Sequence, residues 1–225
     1  MQRVCEPELM DGAEQAAAYS AADFGSGDRA LVDRLAALFP EGPGDALVDL
    51  GCGPGNIAEL MAERWPQARV LGLDGAAAML QIAAARLAAQ PQRWPGLSYA
   101  QVQLTPSGLQ PPIDGNFGGV VSNSLLHHLH DPQALWAAVR ELGAPGARVY
   151  IKDLRRPSSP EAVLALRDRY LADAPAVLQH DYVASLHAAF TAAEVQQQLQ
   201  AAGLADQLQL AELDDRYLEV WGRLA

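Results

Sequence analysis

Short apolar runs alternate along the chain with longer stretches of helical spacing, the pattern of an α/β fold with a mostly parallel sheet. The first run, Ala46-Leu47-Val48-Asp49-Leu50, leads into the glycine-rich turn Gly51-Cys52-Gly53-Pro54-Gly55. A helix is expected from about Asn56 to Trp65, ending before Pro66, then a strand over Arg69 to Asp74 and a helix over Ala76 to Ala89. The run Leu97 to Leu104 is polar at every second position through part of its length, which suits an edge strand. The loop Thr105 to Asn116 carries three prolines and two glycines.

Phe117 to Asn123 reads as the fourth strand, and Asp131-Pro132 opens a helix that Gly143, Pro145 and Gly146 end. Ala147 to Asp153 is the fifth strand. A helical insert, Ser158 to Phe190, precedes a helix capped by Thr191, with Glu194 completing a capping box and Gly203 ending it. Leu208 to Leu213 and Arg216 to Leu224, joined by Asp214-Asp215, form an antiparallel hairpin. Residues 1 to 40 read as helical, most strongly over Ala13 to Ala22. The expected organisation is one domain over 1–225. A helical cap covers 1–45, a ligand-binding core 46–154, a helical insert or lid 155–190, and a final helix and hairpin 191–225.

Composition narrows the class. Half of the 225 residues are apolar, enough for one sizeable core. There are 16 basic and 27 acidic residues, a net charge of −11, and Lys152 is the only lysine beside fifteen scattered arginines. That is no footprint for a phosphate backbone, so no nucleic-acid partner is expected. Cys5 and Cys52 make neither a disulfide framework nor a metal spacing and fit a reducing compartment. No signal segment opens the chain and no run of 18 apolar residues occurs. The expectation is a cytoplasmic protein without a membrane partner, monomer or homodimer.

The glycine turn carries the most information. Three glycines at alternate positions after a buried strand let the backbone turn tightly and bring a ligand against bare main chain. The next helix offers its free N–H groups there. A dinucleotide turn wants G-x-G-x-x-G, whereas this one reads G-x-G-x-G with Asp49 two places before the first glycine. A carboxylate there repels a pyrophosphate and suits an ammonium group. Asp74, ending the second strand, can accept hydrogen bonds from both hydroxyls of a ribose. A ligand with ribose, ammonium and carboxylate but no phosphate is S-adenosylmethionine.

With these residues, and with Val121-Ser122-Asn123-Ser124-Leu125-Leu126-His127-His128-Leu129-His130-Asp131, the chain resembles the class I S-adenosylmethionine-dependent methyltransferases from about Ala46 to Leu224. Pro7-Glu8-Leu9-Met10-Asp11, Tyr19 to Phe24, Asp153-Leu154-Arg155-Arg156-Pro157 and Ser185 to Leu204 resemble a bacterial small-molecule subgroup of these enzymes. The resemblance implies a Rossmann-like fold with a seven-stranded, mostly parallel sheet, a terminal antiparallel hairpin and helices on both faces. It implies methyl transfer by in-line displacement to a small organic acceptor, leaving S-adenosylhomocysteine. Asp49, Gly51, Gly53 and Asn56 would hold the methionine portion and Asp74 the ribose. Gly75 would allow close approach, and Met79 would pack on the adenine. Gln103, beside Leu104, stands where the family commonly carries an acid that meets the adenine amino group. Asn123 would lie beneath the sulfonium.

His127, His128 and His130 are adjacent or nearly so, but no further metal-ligand spacing supports them, and no metal is expected. His128 matches a site-facing position of the family. A base is needed only for a protonated nucleophile; the candidates are His128, Asp153 and His180-Asp181-Tyr182. Tyr19 and Phe24 are expected to close over the cofactor or to staple onto the core, and Arg155-Arg156 to anchor an acidic substrate or to form a solvated pair. Three other readings stand beside this one. They are an NAD-dependent oxidoreductase, a non-catalytic S-adenosylmethionine-binding protein, and an enzyme using the same cofactor for aminopropyl transfer or cyclisation.

Overall fold

A computed structural model describes residues 1–9, 12, 16, 19, 20 and 25–225. Most of the helix expected over Ala13 to Ala22 therefore lies outside the described residues, as does Phe24. The first described helix is α1 (Gly25–Leu38), and β1 (Ala46–Leu50) follows. The chain continues through α2 (Asn56–Arg64), β2 (Arg69–Asp74), α3 (Ala77–Ala89) and β3 (Leu97–Gln101). After a short hairpin, β4 (Gln103–Thr105) and β5 (Gly108–Gln110), come β6 (Phe117–Asn123), α4 (Gln133–Leu142) and β7 (Gly143–Leu154). The chain ends with α5 (Pro160–Tyr170), α6 (Ala176–Ala188), α7 (Ala192–Ala201), β8 (Leu208–Glu212) and β9 (Tyr217–Arg223).

Seven strands form one sheet in the order β3-β2-β1-β6-β7-β9-β8. The first five are parallel; β9 inserts antiparallel beside β7 and pairs with β8. The strand-helix alternation explains the parallel part, since each crossover needs a helix to return to the same end. Alternation along the strands then divides the core. Val48, Val120, Val149 and Ile151 face α4 and α7, while Leu47, Val121 and Tyr150 face α1 and α2. The inner strands must bury both faces, so β1 reads as an almost unbroken apolar run, and all five of its residues are buried.

Three expectations about element bounds change. The third strand does not run to Leu104: it stops at Gln101, and Gln103–Thr105 turns away to pair with Gly108–Gln110. The polar alternation belonged to two separate pieces joined at the buried Val102. β7 starts at Gly143, so the glycines expected to separate helix from strand open the strand instead. The insert is two helices broken near Pro175. The Thr191–Glu194 capping box is present as expected. Among the described residues no helix is long and apolar enough to cross a membrane.

Candidate active site

The strand order reverses between β1 and β6, and the carboxyl ends of β1, β2, β6 and β7 open into a cleft of about 720 Å³. Clefts at such switch points are where open α/β sheets bind ligands. Its floor is the glycine turn. Gly51 sits at φ +70°, and a Cβ there would meet Leu125 at 2.8 Å. A Cβ on Gly53 (φ +52°) would meet nothing within 4 Å, so bare main chain faces open space. Asp74 braces this turn from β2: Oδ2 accepts from the Gly53 amide and Oδ1 from the Ala76 amide, both at 2.8 Å. Gly75, Met79, Gln103, Leu104, Asn123 and Tyr19 also line the cleft. Ser124, a non-glycine residue at φ +56°, follows Asn123, and its amide donates to the Lys152 carbonyl at 2.9 Å. Such backbone outliers cluster at functional sites.

Asp49 and Asn56 lie beneath the glycine turn. They line a recess of about 40 Å³ under the turn, shared with Gly51, Gly53, Asn123, Tyr19 and Asp28, and neither reaches the main cleft. Asn56 is engaged on both sides, donating to Asp28 at 3.2 Å and accepting from Arg86 at 2.7 Å. Asp49 is 1% exposed and its Oδ2 has no hydrogen-bond partner among the described residues. Burial, then the nearby carboxylates of Asp74 and Asp28, hold its pKa well above the usual range. A buried acceptor of this kind, beside exposed main chain, fits the ammonium end of the cofactor inferred from the sequence.

The comparisons with known proteins agree with this architecture. A family described as "Methyltransferase domain" matches residues 24–209. The chain belongs to that family. A trans-aconitate 2-methyltransferase of Deinococcus radiodurans is 40% identical over 112 residues, covering 50% of this chain and 39% of that protein. The chain thus spans about two fifths of that relative's length. Among solved structures, an S-adenosylmethionine-dependent methyltransferase from Aquifex aeolicus superposes with a TM-score of 0.63 at 14% identity, covering 95% of this chain and 99% of that one. Phosphoethanolamine N-methyltransferase 2 of Haemonchus contortus, in complex with S-adenosyl-L-methionine, gives a TM-score of 0.65 at 14% identity, covering 95% and 57%. The fold is that of the class I S-adenosylmethionine-dependent enzymes.

The methyltransferase domain carries a second group of polar residues at the end of β6. A 3-10 turn over Leu126–His128 places two imidazoles with ring centroids 4.2 Å apart. Asp153, expected to be available as a base, is 1% exposed and does not line the cleft. Its Oδ1 lies 2.6 Å from His127 Nδ1 and its Oδ2 accepts from the Leu126 amide at 2.7 Å. Burial alone would lower the His127 pKa, but the charge and hydrogen bond of Asp153, with the charge of Glu6, hold it above the usual value. Burial and the neighbouring His127 push His128 well below its usual value. Glu6 was not singled out from the sequence. It arrives because the segment around it is strapped across α6 and the 3-10 turn. Arg3 donates to the Ala188, His127 and Leu129 carbonyls, and Val4 to that of His187.

The far side of the cleft carries Lys152, Arg216, Tyr170, Tyr182, Tyr217 and Asp181. Burial pushes the Tyr182 phenol up to about 12, so it stays protonated at neutral pH. His180 is exposed outside the cleft. Arg155 and Arg156, expected to anchor an acidic substrate or to form a solvated pair, are absent from it. Arg156 is buried, donating to the Ala189 carbonyl and to Glu194, while Arg155 donates to the Asp214 carbonyl. Lys152 and Arg216 line the cleft instead. Lys152 follows directly from its place in β7, but Arg216 reaches the cleft only because β9 inserts beside β7. No carboxylate forms an ion pair with either among the described residues.

Proposed function

We propose that this domain transfers a methyl group from S-adenosylmethionine to a small organic acid, with a carboxylate oxygen as the acceptor atom. When bound, the cofactor supplies an electrophilic methyl on a sulfonium, and S-adenosylhomocysteine remains after its transfer. In this reading Asp74 holds the ribose, Gln103, Leu104 and Met79 the adenine, and Gly51, Gly53 and Asn123 the methionine portion. Asp49 provides the negative potential beneath the ammonium group, and Tyr19 closes the wall of the cleft.

The observation that carries the acceptor class is the pair Lys152 and Arg216. Two cations in the cleft, Lys152 over the Tyr217 ring and Arg216 over that of Tyr170, with no ion-pair partner among the described residues, suit a small anion with more than one carboxylate. The relative's name, trans-aconitate 2-methyltransferase, is consistent with that chemistry. A carboxylate is already ionised at neutral pH, so its attack requires no base. The absence of Asp153 from the cleft then costs the reaction nothing. Catalysis reduces to holding the acceptor oxygen in line with the methyl and excluding water, tasks assigned to Tyr170, Tyr182 and the insert α5–α6. Tyr182, protonated, donates a hydrogen bond rather than removing a proton.

The test is a mass-spectrometric screen of small di- and tricarboxylic acids against phenols, amines and thiols, with S-adenosylmethionine present. Single-methyl products confined to the acids are expected. Turnover of amines or phenols with none of the acids would contradict the acceptor class.

A further inference from the structure

We propose that Glu6, His127 and His128 form a binding site for a divalent first-row transition ion of the zinc type at the wall of the cleft. Their donor atoms lie within 4.8 Å of one another. Glu6 Oε1 stands 3.6 Å from His127 Nε2 and 3.2 Å from His128 Nδ1. Tetrahedral coordination with bonds of about 2.0–2.1 Å puts neighbouring donors about 3.3–3.4 Å apart, between those two separations.

The contacts do not satisfy the atoms by themselves. Glu6 Oε1 and His128 Nδ1 are both buried without a hydrogen-bond partner, and the Glu6 side chain is only 10% exposed. Buried polar atoms are nearly always paired, so two facing orphans mark a place built for something else. The donors are also held. Glu6 Oε2 accepts from Ser185 Oγ at 3.2 Å, and the Asp153 carboxylate, 2.6 Å from His127 Nδ1, fixes that ring so that Nε2 points to the cluster. A carboxylate behind a ligating imidazole is the usual support of such a ligand.

Two imidazoles and one carboxylate favour zinc, cobalt or nickel over magnesium or calcium, which take oxygen sets. Three protein donors leave a fourth position, and both histidines line the cleft, so water or an acceptor oxygen completes the set. The sequence pattern hid this site because its carboxylate comes from Glu6, more than a hundred residues from the histidines. The proposal stands on this geometry and does not depend on the acceptor assignment.

The experiment titrates untagged, chelator-treated protein with Co²⁺ and then Zn²⁺, in a Cys5→Ser background that removes the exposed thiol beside the site. One equivalent of Co²⁺ should bind with the intense visible bands of low-coordinate cobalt, and Zn²⁺ should abolish them. Glu6→Gln and His128→Ala should each weaken binding at least about 100-fold, and Asp153→Asn about 10–100-fold. His180→Ala, on the exposed face of α6, should leave binding unchanged. A melting transition confirms that each variant is folded, and the near-isosteric Glu6→Gln decides if His128→Ala is not. Absence of stoichiometric binding overturns the proposal, as does binding that survives both Glu6→Gln and His128→Ala. Either result leaves Glu6 as an ion-pair partner of the two imidazoles, with no metal between them.

Discussion

The Gly53 amide donates to Asp74 Oδ2 at 2.8 Å, which ties the glycine turn after β1 to the carboxyl end of β2. One carboxylate therefore shapes the floor of the cleft and faces into it. Asp74→Ala should weaken S-adenosylmethionine binding by about 1.5–3 kcal/mol, roughly 10–100-fold, because a charged acceptor is lost. Asp74→Asn keeps one acceptor oxygen for the turn and should retain the melting temperature better than alanine. Calorimetry and thermal melts of the two variants separate binding from support of the turn. Unchanged affinity in Asp74→Ala would move the ribose elsewhere.

Asp49 links stability to pH. Its folded pKa is raised above the unfolded value, so the protonated form contributes stability that is fully present below the unfolded pKa and is lost as pH rises through the folded one. As pH rises above the unfolded value, burying this group becomes a growing cost to the free protein. Asp49→Asn, which carries no charge there, should therefore flatten the dependence of the melting temperature on pH and raise that temperature at the upper end of the range. The same variant should bind S-adenosylmethionine more weakly. A variant that is both less stable and unchanged in affinity would remove Asp49 from the cofactor site.

The cations across the cleft are predicted to act on the acceptor and not on the cofactor. Arg216→Gln and Lys152→Gln should each raise the KM for the acid about 10–100-fold, the loss of one charged hydrogen bond. The Kd for S-adenosylhomocysteine should stay within about twofold, and added salt should weaken acceptor binding in the parent protein. Steady-state kinetics at two ionic strengths checks this.

Behind the site, Arg34 donates to both oxygens of the buried Glu219, at 3.1 and 2.6 Å, and Tyr150 Oη donates to the same carboxylate at 3.2 Å. Removing a partner leaves a buried charge. Arg34 is itself 40% exposed, so solvent screens part of the effect. Arg34→Met should cost about 1–3 kcal/mol in urea unfolding, and Arg34→Met with Glu219→Gln less than the sum of the two single changes.

The parts of this molecule that repeat locally could be read without coordinates. The apolar period of β1 and β6, the glycine turn, the Thr191–Glu194 box and the closing hairpin are each fixed by residues a few places apart. Gly51, Gly53, Asp74 and Asn123 follow from them because the ends of parallel strands meet at the switch point. What depended on contacts distant in sequence was not legible. The contacts of Asn56 with Asp28 and Arg86, and of Asp153 with His127 and the Leu126 amide, join residues 26 or more places apart and leave no local pattern. Arg155 and Arg216 differ in sequence by nothing that tells which one turns into the cleft; the insertion of β9 beside β7 decides it.

The most direct test of the cofactor site is a parallel calorimetric titration of the protein with S-adenosylmethionine, S-adenosylhomocysteine and NAD. The G-x-G-x-G turn, the carboxylate of Asp49 beneath it and the Asp74 brace predict micromolar binding of the first two and none of the dinucleotide. Binding of NAD alone would contradict the assignment of the cleft.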